Sequence, residues 1–172
     1  MPATIALRYQ NRDVTFEKSD NLIAVRARAG MAAALKADID GIAVTGGSGR
    51  PVTIGAFEVV ELRPSAAGLE QDLDWLRARP SVAAASHVFM LRGKTAPMVP
   101  NGHIELLFDP SVTGHEQRAM LARYRLQAIE QRGHGSYLVR ITSGSKNPLA
   151  TAAALQAEKG VTLADPEFAG SA

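Results

Sequence analysis

In a chain without cysteine, chemistry has to come from histidines, hydroxyls and carboxylates. Four histidines are present, His87, His103, His115 and His134, and none has the His-Glu-x-x-His spacing that puts two imidazoles on one helix face. Each reads as an ordinary surface or strand-end residue. Gly133-His134-Gly135-Ser136 brings an imidazole and a hydroxyl together as a nucleophile turn would, but Gly-x-Ser-x-Gly is not matched and a hairpin turn accounts for both glycines. Thr45-Gly46-Gly47-Ser48-Gly49-Arg50 has the glycines of a phosphate loop without the Lys-Ser or Lys-Thr pair, and Pro51-Val52-Thr53-Ile54 beyond it is extended rather than helical. It reads as a strand connection. Glu70, Asp72 and Asp74 near Trp75 fan around the solvent side of a helix, and Arg77 and Arg79 sit at its end, where cations suit the dipole. No catalytic residue, metal site or cofactor is expected.

The elements that would position any site are clearest in the second half. His103-Ile104-Glu105-Leu106-Leu107-Phe108 alternates around Ile104, Leu106 and Phe108, as a strand with one buried face does, and Asp109-Pro110 ends it. Ser111, Thr113 or Gly114 opens a helix over 115–125 with an apolar stripe of Ala119, Met120, Leu121, Ala122 and Tyr124. Glu116, Gln117, Arg118 and Arg123 are expected on its outer face. Leu126, Ala128 and Ile129 start a second strand, Gly133-His134-Gly135 a turn, and Tyr137-Leu138-Val139-Arg140-Ile141 a third strand. Asn147-Pro148 supplies an N-cap and a first-turn proline for a helix that Gly160 stops. Val161 to Phe168 is the last strand, with the chain end free beyond it.

Strand, helix, strand, strand, helix, strand closes a four-stranded antiparallel sheet under two helices. The same order can be read, more faintly, over 21–93. Leu22 to Ala27 is a strand, Met31 to Ile39 a helix, and Ile42 to Val44 and Val52 to Ile54 are extended segments around a turn. Phe57 to Leu62 is a strand, 67–79 an amphipathic helix carrying Leu69, Leu73, Trp75 and Leu76, and Val88 to Met90 lies in a final strand. Repetition at about 80 residues indicates duplicated domains. Ala3 to Tyr9 and Val14 to Phe16 form a hairpin ahead of the first copy, around Gln10-Asn11-Arg12-Asp13. The expected fold class is α+β: two tandem ferredoxin-like βαββαβ domains with antiparallel sheets and an N-terminal β-hairpin. The hairpin and first domain occupy 1–93, a linker 94–102, and the second domain with its tail 103–172.

Composition bounds the function classes. With 46% hydrophobic residues the chain folds, while 5% aromatics make for thin cores and modest stability. A net charge of +2 from 19 bases and 17 acids spread along the chain disfavours nucleic acid as a partner. The absence of a run of about 18 apolar residues, and of a charged-then-apolar leader at Met1-Pro2-Ala3, gives the expectation of a soluble chain without a membrane partner or a visible address, so no compartment is assigned.

The second half resembles the N-terminal propeptide, the inhibitor-type prodomain, of subtilisin-like serine proteases, in its fervidolysin-like variety. The resemblance lies in Ile104-Glu105-Leu106-Leu107-Phe108-Asp109-Pro110, Tyr124-Arg125-Leu126, Tyr137-Leu138-Val139-Arg140-Ile141 and the passage from Leu155 to the ending Ala164-Asp165-Pro166-Glu167-Phe168. It spans about 70 residues, and the first half follows as a divergent tandem copy. The resemblance implies a folding assistant and inhibitor whose partner is a subtilisin-like catalytic domain, in cis or in trans. It also implies a sheet that covers two surface helices of the enzyme. Asp165 and Glu167 would meet helix N-termini there, and Phe168 would belong to the binding segment. Ala169, Gly170, Ser171 and Ala172 would be the tail in the substrate cleft. The small residues of that tail depart from the family's usual large residue before the cleaved bond. The catalytic domain's own motifs, Asp-Thr-Gly or Asp-Ser-Gly, His-Gly-Thr and Gly-Thr-Ser-Met-Ala, do not occur in the sequence. Two rival readings stand beside it: a stand-alone ferredoxin-like interaction or ligand-binding module, and a small enzyme using His134 and Ser136.

Overall fold

The computed structural model of the chain describes residues 3–44, 52–66, 68–142 and 147–170. Gln10 and Asn11, both with positive φ (50° and 62°), turn the chain back between β1 (Thr4–Tyr9) and β2 (Arg12–Ala27). Tyr9 pairs with Arg12 across them, so this is the two-residue hairpin loop in which an asparagine tolerates the left-handed conformation. The sequence predicts separate strands at Val14 to Phe16 and Leu22 to Ala27; the structure joins them into one strand of 16 residues. Ser19 makes the join: its hydroxyl accepts the Leu22 N–H (3.0 Å) and donates to Asn21 Oδ1 (3.0 Å), and the register against β5 jumps between Lys18 and Ile23. Polar residues that looked like a break are thus an irregularity inside a continuous strand.

Along β2 follow α1 (Ala32–Asp40), β3 (Val52–Ile54), β4 (Phe57–Glu61), α2 (Leu69–Arg77) and β5 (Val82–Leu91). Phe16 of β2 pairs with Ile5 on one side and Leu91 on the other, and Ile23 pairs with Val60 and His87. So β1 and β4 lie end to end along one edge of β2, with β5 along the other. The resulting order is β3-β4-β2-β5, with β1 added beside the first half of β2. Leu35 and Ile39 of α1 and Leu73 and Leu76 of α2 close one face over Ile23, Val25, Val60 and Ala85. The phosphate-loop-like stretch from Thr45 to Arg50 lies outside the described residues.

The second sheet is built from β6 (Pro100–Phe108), β7 (Leu126–Gln131), β8 (Ser136–Ile141) and β9 (Val161–Phe168), in the order β7-β8-β6-β9 with every pair antiparallel. Among the described residues the protein is α+β, with four helices and two antiparallel sheets. α3 (Gly114–Arg123) is capped by Thr113, whose hydroxyl accepts the Glu116 N–H (3.2 Å). α4 (Pro148–Gln156) is capped by Asn147, whose side-chain Oδ1 accepts the N–H groups of Leu149 (3.1 Å) and Ala150 (3.2 Å). Both helices bury Ile104, Leu106, Phe108, Val139 and Ala164 beneath Leu121, Ala152 and Leu155. Gln117, expected on the outer face of α3, is buried instead, because it lies four residues before Leu121 on the same stripe. Both ends of its amide are engaged: Nε2 donates to the Val112 carbonyl (3.1 Å) and Oε1 accepts from the Tyr137 hydroxyl (2.8 Å).

Gly160 marks the turn from α4 to β9 with φ at 92°, and a Cβ there would stand 2.7 Å from Val112 Cγ2. Gly160→Ala combines left-handed backbone strain with that overlap. It is expected to cost about 2 kcal/mol or more, read as a lower urea midpoint with an unchanged m-value.

The two halves share a core. Leu7, Phe16 and Phe89 of the first meet Leu149 and Phe168 of the second in one buried cluster. The connecting stretch 94–102 folds back on β5: Met98 and Phe89 exchange backbone hydrogen bonds (2.9 and 2.7 Å), Val99 is buried, and β6 begins at Pro100.

Candidate functional site: the open face of the second sheet and the chain end

Strand alternation divides the second sheet into two faces. The helices cover Ile104, Leu106 and Phe108 of β6, so His103, Glu105 and Leu107 project from the opposite side. In register, Glu105 stands between Leu138 and Asp165, Leu107 between Ser136 and Leu163, and His103 opposite Arg140. The outcome is a band of Leu107, Leu138 and Leu163 rimmed by three carboxylates, Glu105, Asp165 and Glu167. Leu107 is 36% exposed, and neither helix reaches this side.

The carboxylates differ in what holds them. Glu105 pairs with Arg132 (3.0 Å), which also meets Glu130 (3.2 Å). Glu167 accepts from Asn101 Nδ2 (3.1 Å) and lies 3.2 Å from His103 Nδ1. Asp165 accepts the Gln10 N–H from the hairpin tip (3.4 Å). Burial pushes its carboxyl above the ordinary range, the Gln10 N–H opposes that, and the facing Glu105 charge adds to the rise. Like charges directly opposite on neighbouring strands repel. That cost marks this rim as a place where a cation or an unpaired N–H from elsewhere would be welcome.

Beyond Glu167 the chain turns inward rather than projecting. Phe168 is 4% exposed, lying 5.4 Å from the Phe16 ring (28° between planes) and 5.3 Å from Tyr9 edge-on. The Ala169 N–H donates to the Val99 carbonyl (2.8 Å), and Gly170 rests on Ile54 and Gly55 of the first sheet. A Cβ on Gly55 would stand 3.1 Å from Gly170 N, so the glycine permits this approach. Of the seven residues expected to bind a protease, Asp165 and Glu167 therefore lie on the open face, while Phe168, Ala169 and Gly170 touch the first half of their own chain. Ser171 and Ala172 lie outside the described residues.

A contact that sequence reasoning missed fastens the hairpin to this site. Gln156 Nε2 donates to the carbonyls of Arg8 (2.6 Å) and Ala164 (2.9 Å), while its Oε1 accepts the Arg8 N–H (2.8 Å). One amide thus stands in for a strand residue between β1 and β9. Nothing in the local pattern of α4 signals it.

The histidines are placed apart. His115 and His134 are exposed and His103 sits on the open face, but His87 is buried at 4% exposure, which corrects its expected surface position. Its place in β5, two residues from Ala85, turns it toward α2, where its Nε2 lies 2.8 Å from Glu70 Oε1. Glu70 also meets Lys18 (3.4 Å), Asp72 accepts from the Ser65 hydroxyl (3.2 Å), and Asp74 pairs with Arg77 (3.4 Å). Among the described residues no three His, Asp or Glu side chains gather as metal ligands would. No described helix is long and apolar enough to cross a membrane.

Fold and site together define an α+β protein with a leucine band, rimmed by acids, on one open sheet face. No family model, curated protein or solved structure matches the chain.

Proposed function

We propose that this chain is the propeptide region of a subtilisin-like serine protease, a non-catalytic partner that assists folding of the catalytic domain and then inhibits it. Each half, on this reading, is a ferredoxin-like βαββαβ unit. Numbering the strands within each unit gives the order 2-3-1-4 twice, β3-β4-β2-β5 and β7-β8-β6-β9, with two helices in each unit. That topology serves many tasks. What carries the functional reading is the open face: Leu107, Leu138 and Leu163 offer an apolar contact, and Glu105, Asp165 and Glu167 offer carboxylates that suit the unpaired N–H groups at helix N-termini. The ending Ala164-Asp165-Pro166-Glu167-Phe168 supports the same assignment. Docking of Ala169 and Gly170 on the first half would then fix where the inhibitory segment leaves the body, so that Ser171 and Ala172 enter the substrate cleft.

The test adds the purified chain to subtilisin and to the subtilisin-like proteases of its source organism, and follows peptide hydrolysis. Inhibition at micromolar chain is expected for at least one of them. Leu107→Glu combined with Leu163→Glu, which places charge on the band without touching the buried face, is expected to weaken it at least about tenfold while far-UV circular dichroism stays unchanged. A folded chain that leaves every enzyme unaffected sinks the proposal. The docked chain end favours one alternative, a ferredoxin-like interaction module that binds through the sheet face alone. Under that alternative, deleting Ser171 and Ala172 changes no partner affinity; under the propeptide reading the deletion weakens inhibition.

A further inference from the structure

A second concave surface lies where the halves meet, a cleft of about 600 Å³ between β5, the end of α2 and the entrance to the second sheet. Three arginines from three elements line it: Arg26 of β2, Arg77 of α2 and Arg140 of β8. Their ionic partners are unequal. Arg77 pairs with Asp74 (3.4 Å), which also lines the cleft, and its Nε donates to the Ala85 carbonyl (3.1 Å). Arg26 lies over the Phe57 ring (5.4 Å), and Arg140 donates to the neutral Gln127 amide. Among the described residues no carboxylate pairs with either, and both are exposed. The cleft thus carries an excess of positive charge.

Its floor has a matching shape. β2 pairs with one edge of β5 and Met98 bridges the other edge at Phe89, so the residues β5 offers here are Ala83, Ala84, Ala85 and Ser86, whose small side chains let another chain come close to the strand. The cleft is also continuous with the open face, because Arg140 belongs to both: it lines the cleft and stands opposite His103 in the second sheet. A partner that lies on the leucine band and extends past Arg140 passes from a face rimmed by carboxylates to a cleft rimmed by guanidinium groups. Such a change of sign along one surface sets the register of a partner.

We propose that this cleft takes an extended acidic segment of the protein that covers the open face, lying along Ala83 to Ser86 with its carboxylates at Arg26 and Arg140. The assignment rests on the propeptide reading only for the identity of that partner. An extended chain with acids at every second position would turn them all to one side, toward the two guanidinium groups.

The probe is a fluorescein-labelled octapeptide of alternating glutamate and serine, with a lysine-serine octapeptide as its counterpart, titrated with the full chain at low ionic strength. Saturable binding of the acidic peptide, weakened by added salt, is expected, together with shifts of the Ala83 to Ser86 amide resonances. Arg26→Ser with Arg140→Ser is expected to weaken binding at least about fivefold. Equal binding of the lysine peptide, unmoved Ala83 to Ser86 amides, or wild-type affinity in the double variant each overturns the assignment. The amide shifts are read on the unmutated chain and so do not depend on how the variant folds. The two proposals fail separately: binding here by a chain that inhibits no protease leaves the cleft assignment standing without the propeptide reading. Inhibition that is identical in the double variant, with no peptide bound, does the reverse.

Discussion

Phe168→Ala is expected to lower the unfolding free energy of the whole chain by about 3–5 kcal/mol. The ring is 4% exposed and sits among Leu7, Phe16, Phe89 and Leu149, stacked on Phe16 and edge-on to Tyr9. Removing it forfeits the transfer of an aromatic side chain and leaves a cavity whose walls come from β1, β2, β5 and α4, elements that cannot all collapse inward together. Because domains of this size hold only about 5–15 kcal/mol in total, the variant stands near the edge of folding.

The same substitution tests whether the halves unfold as one. Trp75, the single tryptophan, reports on the first half, although Phe168 belongs to the last strand of the second. In urea, Trp75 fluorescence and far-UV circular dichroism are expected to move to a lower midpoint together in Phe168→Ala. A Trp75 transition that stays in place would show that the first half does not depend on this ring, and the shared core would lose its energetic meaning. Phe168→Leu, which keeps most of the apolar volume, is expected to give a smaller shift in the same direction.

The second half was legible because its signals are local. Asn147-Pro148 caps α4, Thr113 caps α3, Gly160 sits in a positive-φ turn, and β9 runs from Val161 to Phe168 as the pattern predicts. Each depends on a few neighbouring residues. Period-two alternation also separated Ile104, Leu106 and Phe108 from the opposite side of β6. What alternation does not contain is which surface another part of the chain will cover. The local pattern ends one strand at Phe16 and starts the next at Leu22, because the β5 partner that spans the interval lies far along the sequence. Phe168 closes the predicted strand with a free end expected beyond it, because the first-half residues that bury it are likewise far along the sequence, and the Gln156 amide reaches a backbone 148 positions away. Of the open face, Asp165 and Glu167 were marked by the motif that contains them. Leu107, Leu138 and Leu163 joined them only through the cross-strand register, which composition does not specify.

Lowering the pH from 7.5 to 5.5 is expected to destabilise the chain through His87. Its Nε2 faces Glu70 at 2.8 Å, while its Nδ1 is buried without a partner. In the neutral ring Nε2–H donates to Glu70 and Nδ1 is only an unused acceptor. Protonation would add a buried N–H with nothing to receive it. Burial is the largest influence and pushes the imidazole below its usual value. The charge and hydrogen bond of Glu70 oppose this, and the Lys18 and Arg77 charges reinforce it. With the folded value below the unfolded one of 6.5, the unfolded chain takes up a proton that the folded chain resists. Stability is therefore complete above pH 6.5 and falls as pH drops toward the folded value, by at most about 1.4 kcal/mol per pH unit. Urea midpoints across this window measure it, and His87→Gln, which does not titrate, is expected to flatten the slope. An imidazole resonance for His87 that titrates at or above 6.5 would contradict the account. Glu70→Gln separates the influences further: without the carboxylate that favours the charged ring, the folded value drops again. The loss of stability then continues to lower pH instead of levelling off.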